Sequence, residues 1–513
     1  MGQAGRYAAL PGGDRVLPVI RSAQQLPGGR TAQFLAFDAA AVAERVPLRA
    51  DLRDGRPMRD VFAAPAAAAP APGGIPLPGQ PRRIDLDIAL RAPGDSGNPA
   101  LGLLLRDRFG LTHRTPVVQL PPGDGTTVSV DLGTLTGAPF GSAAAPLSIA
   151  AIAVSYLPTG EGPVGGEVAV RRIAVSDRHD GPAVPVPAPA PGPDWTLNAP
   201  QLSRADRQPA GELLAAGVDD SAWVRLRYRG GADVPSGVHL TLMPPGTGQA
   251  VTEVPGVATR SYLAETGAAV GDLVTVTVGP TTVPVRIGAA VRSVPVAGEP
   301  ALAVDLHSLG RLLAATGARE VPAPAEWWLP AASPDDPAPA RAAAALRSGS
   351  GAQQVALREE VADRLLRDPL SAGPQAALAA LAAVGALLAA IGFAAAGAAA
   401  GRERAREFGV LQALGASRRK LAGTAAAEGC LLVVLGSAVG AGLGAAIVHL
   451  VVPLLVLTPT GRRPVPGALV DLPTGATLLM VAAGAAAPLL SAVLASRGGG
   501  ADPAARLRHV EEL

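Results

Sequence analysis

The sequence predicts a multidomain membrane protein: an external α/β domain plus an inserted β-sandwich, followed by three transmembrane α-helices. Mean hydropathy is +0.29 although only 3% of the residues are aromatic, so the apolar content is gathered in aliphatic segments. Three runs in the last third reach the roughly 20 predominantly apolar residues that cross a bilayer. Ahead of them, short alternating segments separated by Gly, Pro and Asp indicate β-strands. A length of 513 residues also exceeds that of one domain.

The soluble part divides where the composition turns to proline and alanine. Both low-complexity stretches predict semi-rigid linkers with little capacity to pack. The predicted order is a partial external α/β segment (1–63), a Pro/Ala linker (64–81), a jelly-roll-like β-sandwich (82–178), a Pro-rich linker (179–194) and an external α/β domain (195–369).

The sandwich is predicted from segments of strand length that alternate or run apolar. They are RIDLDIALR (83–91), TTVSVDL (126–132), LSIAAIAVSY (147–156) and EVAVRRIAV (167–175). No pattern of helical period interrupts them, which is typical of two packed sheets.

The flanking α/β sequence shows an internal similarity. Residues 18–26 and 33–44 resemble residues 256–267 and 300–313, with a hairpin at 270–294 in the second copy. Each copy predicts a short helix, then a strand that ends at an aspartate, then an amphipathic helix. Asp38 and Asp305 could cap these last helices. Chance similarity in an alanine-rich chain is the alternative.

The three transmembrane helices are predicted at 370–401, 421–457 and 474–497. Cationic residues crowd the connection 402–420 and the tail 498–513, so both are predicted to be cytoplasmic, and the loop 458–473 external. Small residues four apart predict close helix packing, unless they are incidental in a glycine-rich chain; they are Gly397, Gly401, Gly436, Gly440 and Gly444.

This topology places some 370 residues outside the cell, yet residues 1–22 contain no apolar signal core. The expectation is therefore that the natural chain begins upstream of Met1 and that this one is truncated or partial.

Several classes of function are disfavoured by the residues available. A formal net charge of +2 gives no basic face for nucleic acid. Lys420 is the only lysine and does not follow a glycine loop, so no P-loop can form. The histidines are scattered, so no metal site is predicted. Ser96 in GDSGNP precedes every histidine, which favours a loop over a protease nucleophile. We expect no enzymatic activity.

The connection REFGVLQALGASRRK (406–420) is the most patterned segment near the apolar runs. On a helix from about residue 402, Phe408, Leu411 and Leu414 recur at three-residue spacing as one apolar stripe. Gly415 is expected to end the helix and Ser417 to cap the next. Such a helix could lie in lipid headgroups or dock into a groove of a soluble partner, and periodicity leaves both open.

At these residues the sequence resembles the FtsX/MacB-type permeases of ABC transporters, an FtsX-like permease family. The family motif is matched by ten residues, whereas Gln412 replaces the usual basic residue; the matches are Glu407, Phe408, Gly409, Val410, Leu411, Ala413, Leu414, Gly415, Ala416 and Ser417. The tail DPAARLR (502–508) is similar too. The resemblance extends over about residues 255–513, including EWWLP (326–330) and RDPLSAGPQAAL (367–378).

The resemblance implies a permease subunit in the plasma membrane of a bacterium. A separate cytoplasmic P-loop ATPase would bind the ATP, and a second permease copy or related half would complete the unit within the lipid bilayer. It implies ATPase contacts through a coupling segment that includes Arg404, Glu407, Phe408, Leu411, Leu414, Gly415, Ser417 and Arg418. It also implies a further span ahead of the external domain. The alternative is a membrane-anchored surface binding protein whose β-sandwich recognises a glycan or protein.

Overall fold

The fold is described from a computed structural model, in which the chain separates into two units, Met1–Val355 and Ala356–Leu513. The structure describes residues 4–69, 73–91, 99–120, 123–132, 143–156, 164–188, 196–198, 211–219, 222–230, 238–244, 247, 251–315, 322–349, 353–367, 369–404, 407, 410–411, 414, 417–455 and 467, and single positions or short runs between 474 and 490.

The described part of the first unit is rich in β-structure. Its strands are, in chain order, β1 (Leu17–Gln25), β2 (Thr31–Phe37), β3 (Ile75–Leu77), β4 (Arg83–Arg91), β5 (Ala100–Arg106), β6 (Thr112–Arg114), β7 (Val118–Gln119), β8 (Gly123–Asp131), β9 (Leu147–Tyr156), β10 (Val164–Ser176), β11 (Val184–Pro185), β12 (Thr196–Asn198), β13 (Gly211–Asp219), β14 (Ala222–Gly230), β15 (Val238–Met243), β16 (Val254–Thr259), β17 (Leu273–Val278), β18 (Thr281–Val291), β19 (Ala301–Asp305) and β20 (Glu326–Trp328).

The described helices of the first unit are short, whereas the second unit has one short helix followed by long ones. They are α1 (Ala4–Ala8), α2 (Ala39–Arg45), α3 (Met58–Val61), α4 (Ala63–Ala68), α5 (Arg260–Thr266), α6 (Leu306–Ala315), α7 (Ala338–Ser348), α8 (Arg358–Leu366), α9 (Pro369–Glu403) and α10 (Arg418–Leu455), with a 3₁₀ turn at Ala50–Arg53.

A mixed sheet joins the N-terminal residues to the segment after the sandwich, in the order β17-β18-β16-β19-β2-β1-β20. Strands β19 and β2 pair in parallel, from Ala301 opposite Gln33 to Asp305 opposite Phe37. Every residue of β19 is buried, as expected for a parallel strand covered on both faces. The sandwich is therefore an insertion between β2 and β16.

Aspartates cap the helices that follow β2 and β19, which confirms the predicted capping. Asp38 accepts a hydrogen bond from the Ala41 amide at 2.9 Å. Asp305 accepts one from Ser308 N at 2.8 Å and a second from Ala39 N at 3.1 Å, so one buried carboxyl serves both α6 and α2. Its pKa is raised above the ordinary value, chiefly by burial.

The predicted short helix at 18–26 is wrong, because these residues form β1. They pair with β2 on one side and with β20 on the other, and these ladders outweigh the weak local preference for helix. In the second copy, 256–267 does contain a helix, but it begins only at Arg260, after β16. The two copies therefore differ in structure over their first half.

Two sheets form the sandwich, in the orders β13-β14-β10-β4-β8 and β12-β15-β9-β5-β6. They face one core that includes Ile84, Ile88, Val170, Leu103, Ile149 and Leu242. The sandwich takes in more of the chain than the predicted 82–178: β12–β15 lie within 195–369, and β3 and β11 lie within the predicted linkers. Composition did not predict β3 and β11, because a proline-rich stretch can still contribute an edge strand.

One turn of the sandwich reaches the core of the mixed sheet. Phe109, between β5 and β6, lies in that core, 5.5 Å between ring centroids from Trp327. Trp327 stacks on Tyr7 at 4.5 Å. Asp107 holds the turn by accepting from Phe109 N at 3.0 Å and Leu111 N at 2.9 Å. Sandwich and sheet therefore share buried contacts.

The second unit contains the two long apolar helices. Segments Ala376–Ala400 of α9 and Ala427–Val452 of α10, with 25 and 26 residues, are long and apolar enough to cross a membrane. Large apolar side chains such as Leu381, Leu388 and Leu435 are exposed along them. An apolar surface of this kind requires lipid or other helices around it. The third predicted span, 474–497, lies mostly outside the described residues, so the count of three stays a prediction.

Candidate functional site

The candidate site is the connection between α9 and α10. The amide of Arg404 donates to Ala400 O at 3.0 Å, so the helical pattern of α9 continues to the start of the connection. At the other end, Ser417 directly precedes α10, and its carbonyl oxygen accepts from Leu421 N at 3.3 Å. The predicted span 370–401 therefore lies within α9, and the predicted span 421–457 lies within α10 up to Leu455, with the connection between the two helices.

Within the connection the described residues are partly helical. Glu407, Val410 and Leu411 have helical geometry, and the amide of Leu414 donates to Val410 O at 3.1 Å. Leu414 itself lies in a turn. The helical part thus ends near the position predicted from Gly415, although Gly415 and Phe408 lie outside the described residues.

The described apolar side chains of this helix are exposed. Leu414 is 79% exposed, Val410 62% and Leu411 43%. Residues three and four apart share a helix face, so Val410, Leu411 and Leu414 lie together. Exposed apolar side chains that lie together form a surface to which another molecule can bind.

Two residues outside the predicted stripe also lie on this face. Val410 stands four residues before Leu414 on the same side. Glu407 is three and four residues before Val410 and Leu411, and its side chain is exposed. The spacing alone could have shown both.

An ion pair joins the two helices at the base of the connection. Arg404 Nη1 lies 2.5 Å from Glu428 Oε2, and Nη2 lies 3.1 Å from Oε1. The guanidinium of Arg404 and the carboxylate of Glu428 thus form a bidentate ion pair. Arg404 was a predicted site residue, but Glu428 was not. Its signal is present in the sequence, since it is the one acidic residue between Leu421 and Leu457.

The glycines predicted to pack helices together face open space wherever they are described. A methyl group added at Gly436, Gly440 or Gly444 would meet no described atom of the chain within 4 Å. Gly397 and Gly401 lie in α9, but the structure does not describe what surrounds them. Close packing at these positions stays a prediction, and it would require another subunit or residues beyond those described.

Two histidines of the first unit take part in contacts with aspartates. His113 Nε2 lies 3.0 Å from Asp107 Oδ2, and both side chains are buried in the turn described above. His307 Nε2 lies 3.4 Å from Asp38 Oδ2. Among the described residues, no three or more His, Cys, Asp or Glu side chains gather in a way that could hold a metal ion. Ser96 lies outside the described residues.

Comparison with known proteins finds a family match in the second unit. Residues 379–499 match the model of the FtsX-like permease C-terminal domain, which includes the connection and most of both helices. The predicted resemblance to the FtsX-like permease family is thereby confirmed for this part of the chain. No curated protein matches the chain. Members of this family are membrane-embedded transporter components rather than catalytic enzymes, and the domain suggests an ABC transporter permease subunit.

Proposed function

Because an FtsX-like permease C-terminal domain occupies residues 379–499, we propose that this chain is the permease subunit of an ABC transporter. In this proposal a separate cytoplasmic ATPase hydrolyses ATP, and the permease couples that reaction to movement of its external domain. The observation that carries the proposal is the exposed apolar face of Val410, Leu411 and Leu414 between two helices of membrane-spanning length.

The exposed face supports docking to a partner over simple anchoring. An anchor needs one apolar helix and no particular loop, whereas the described residues include two such helices joined by a patterned segment. A helix that lies in headgroups needs only apolar and cationic faces. Glu407 within the apolar face is unfavourable beside anionic lipid, but it can pair with a cationic side chain of a protein groove.

In the proposed unit this chain has no catalytic residues and binds no cofactor itself. The ATP site would lie in the partner, because the only lysine, Lys420, stands outside any glycine loop. FtsX-like permeases typically work with an ABC ATPase. A second permease copy or related half would cover the open glycine face of α10.

The proposal places the connection in the cytoplasm and the first unit on the outer side of a bacterial plasma membrane. The cations at Arg402, Arg404, Arg418, Arg419 and Lys420 support this sidedness. The chain would be multi-pass, with spans at 370–401, 421–457 and 474–497.

The test is to look for a P-loop ATPase encoded by a neighbouring gene and to co-purify that ATPase with the full-length permease. We expect Leu414→Asp to lower recovery of the ATPase by about tenfold, because a charge replaces an apolar contact at the centre of an interface. Leu273→Asp is the matched control: Leu273 is 51% exposed on the edge strand β17 of the first unit, and the change should leave recovery unaltered. Recovery that Leu414→Asp does not change would refute docking at this face.

A further inference from the structure

The ion pair between Arg404 and Glu428 is placed where the two helices meet the connection. Arg404 follows the last residue of α9, and Glu428 lies next to Ala427, where the apolar segment of α10 starts. Helix α10 begins at Arg418, about 15 Å of helix before Glu428 at 1.5 Å per residue. The connection and the first ten residues of α10 therefore lie between Arg404 and Glu428 along the chain.

Arg404 pairs with Glu428 although other acidic residues are closer to it along the chain. Glu403 and Glu407 are near Arg404 along the chain, yet both guanidinium hydrogen bonds go across to Glu428. On the Glu428 side, the surroundings are apolar: the next residues are Gly429, Cys430, Leu431 and Leu432. A carboxylate at the start of a membrane segment is costly unless a cation accompanies it. Arg404 is the cation that the structure supplies.

We propose that Arg404 and Glu428 form a clamp that holds the end of α9 against α10, so that the connection and both helices move as one piece. Arg404 and Glu428 are positioning residues, since their charged groups contact each other. This inference rests on the proposed function, because it names what transmits a push on that face to the helices. Two hydrogen bonds from a planar fork fix orientation as well as distance, which a single lysine contact would not.

The clamp can be tested without the ATPase. Full-length protein in lipid nanodiscs, with Cys430→Ala removing the only cysteine, would carry spin labels at Leu388→Cys and Lys420→Cys. Both positions are exposed, one on α9 and one on the first part of α10. Pulsed electron paramagnetic resonance then measures the distribution of distances between the two spin labels. We expect a single narrow distribution in the parent protein.

Charge reversal and its rescue decide the outcome. We expect Arg404→Glu and Glu428→Arg each to widen the distribution by about twofold or more, and the double exchange to restore it, because only the pair can explain mutual rescue. Leu414→Asp, on the docking face, should leave the width unchanged. Unchanged widths in the single variants, or a double exchange no narrower than either, would overturn the clamp.

Variants that fail to insert can be replaced by milder ones. Arg404→Lys keeps the charge and loses the fork, and we expect a width between those of the parent and of Arg404→Gln; a width equal to the parent's would count against the clamp. The two proposals fail separately. If Leu414→Asp leaves ATPase recovery unchanged while the distances behave as expected, docking fails and the clamp stands.

Discussion

Gly110 shows how one residue fixes the contact between the sandwich and the mixed sheet. It has a φ of +76° in the turn between β5 and β6, and a side chain at this position would overlap the ring of His307. His307 follows β19 in the mixed sheet, so the two domains meet at a point without room for a methyl group.

We expect Gly110→Ala to destabilise the full-length protein by about 2–4 kcal/mol, since positive φ and steric overlap both oppose the methyl group. Gly279→Ala is the control: its φ is +59°, but no described atom lies within 4 Å of an added methyl group. Its cost should be about 1 kcal/mol from backbone strain alone. Thermal unfolding followed by tryptophan fluorescence compares them, and equal losses would refute the role of His307.

His307 also makes stability depend on pH. Burial lowers the pKa of His307, and so does the positive charge of Arg106. The hydrogen bond to Asp38 and the negative charges of Asp305 and Asp38 outweigh both effects, so the pKa is raised above 6.5. The pKa of Asp38 is lowered below 3.8: burial opposes this, but the hydrogen bond from His307 and the helix amides outweigh it. Both shifts indicate an ion pair in the folded state.

The sign of the pH effect follows from the raised pKa. The contribution of His307 is fully present below its unfolded pKa near 6.5 and is lost as pH rises through the folded value. We expect the melting temperature of the full-length protein to fall as pH rises above about 6.5, and this fall to shrink in His307→Gln. An identical pH dependence in both proteins would show that His307 remains neutral.

At the scale of elements, Asp305 joins two helices of the mixed sheet through one carboxyl group. It accepts from an amide at the start of α6 and from another at the start of α2, which are separated by the whole sandwich in sequence. Local sequence could predict the first bond, because the aspartate directly precedes its helix. The second bond depends on the parallel pairing of β2 with β19, which no local pattern encodes.

We expect Asp305→Ala to cost about 2–4 kcal/mol, since it leaves two buried amides without their partner. Asp272→Ala removes one comparable bond, from Ala269 N at 2.8 Å, but at an exposed turn, and should cost less than about 1 kcal/mol. The free energies of unfolding in denaturant titrations measure both changes. Similar losses of free energy in the two variants would mean that the two bonds to Asp305 stabilise the fold no more than one hydrogen bond in an exposed turn.

The accuracy of the sequence predictions follows the range of the interactions involved. Long apolar runs and aspartate caps are local, and they were predicted correctly for α9, α10, α2 and α6. Pairings between distant segments were not predicted correctly: the local pattern predicts a helix where β1 pairs with β2, and it places β12–β15 outside the sandwich. In the candidate site the apolar residues came from periodicity, whereas Glu428 was missed because its partner lies on another helix.

At the scale of the whole molecule, the proposed mechanism requires the connection and the first unit to face opposite sides of the membrane. Val296 is 65% exposed in the first unit, and Leu414 is 79% exposed in the connection. With Cys430→Ala removing the only native thiol, a cysteine can be placed at either position as Val296→Cys or Leu414→Cys.

In intact cells, we expect a membrane-impermeant maleimide to react with Val296→Cys and not with Leu414→Cys, whereas permeabilised cells should react at both. The reason is the excess of arginine and lysine in the connection, which holds that side of the spans in the cytoplasm. Reaction after permeabilisation controls for thiol accessibility at Leu414. Labelling of Leu414→Cys in intact cells would place the docking face outside, where no ATPase could reach it.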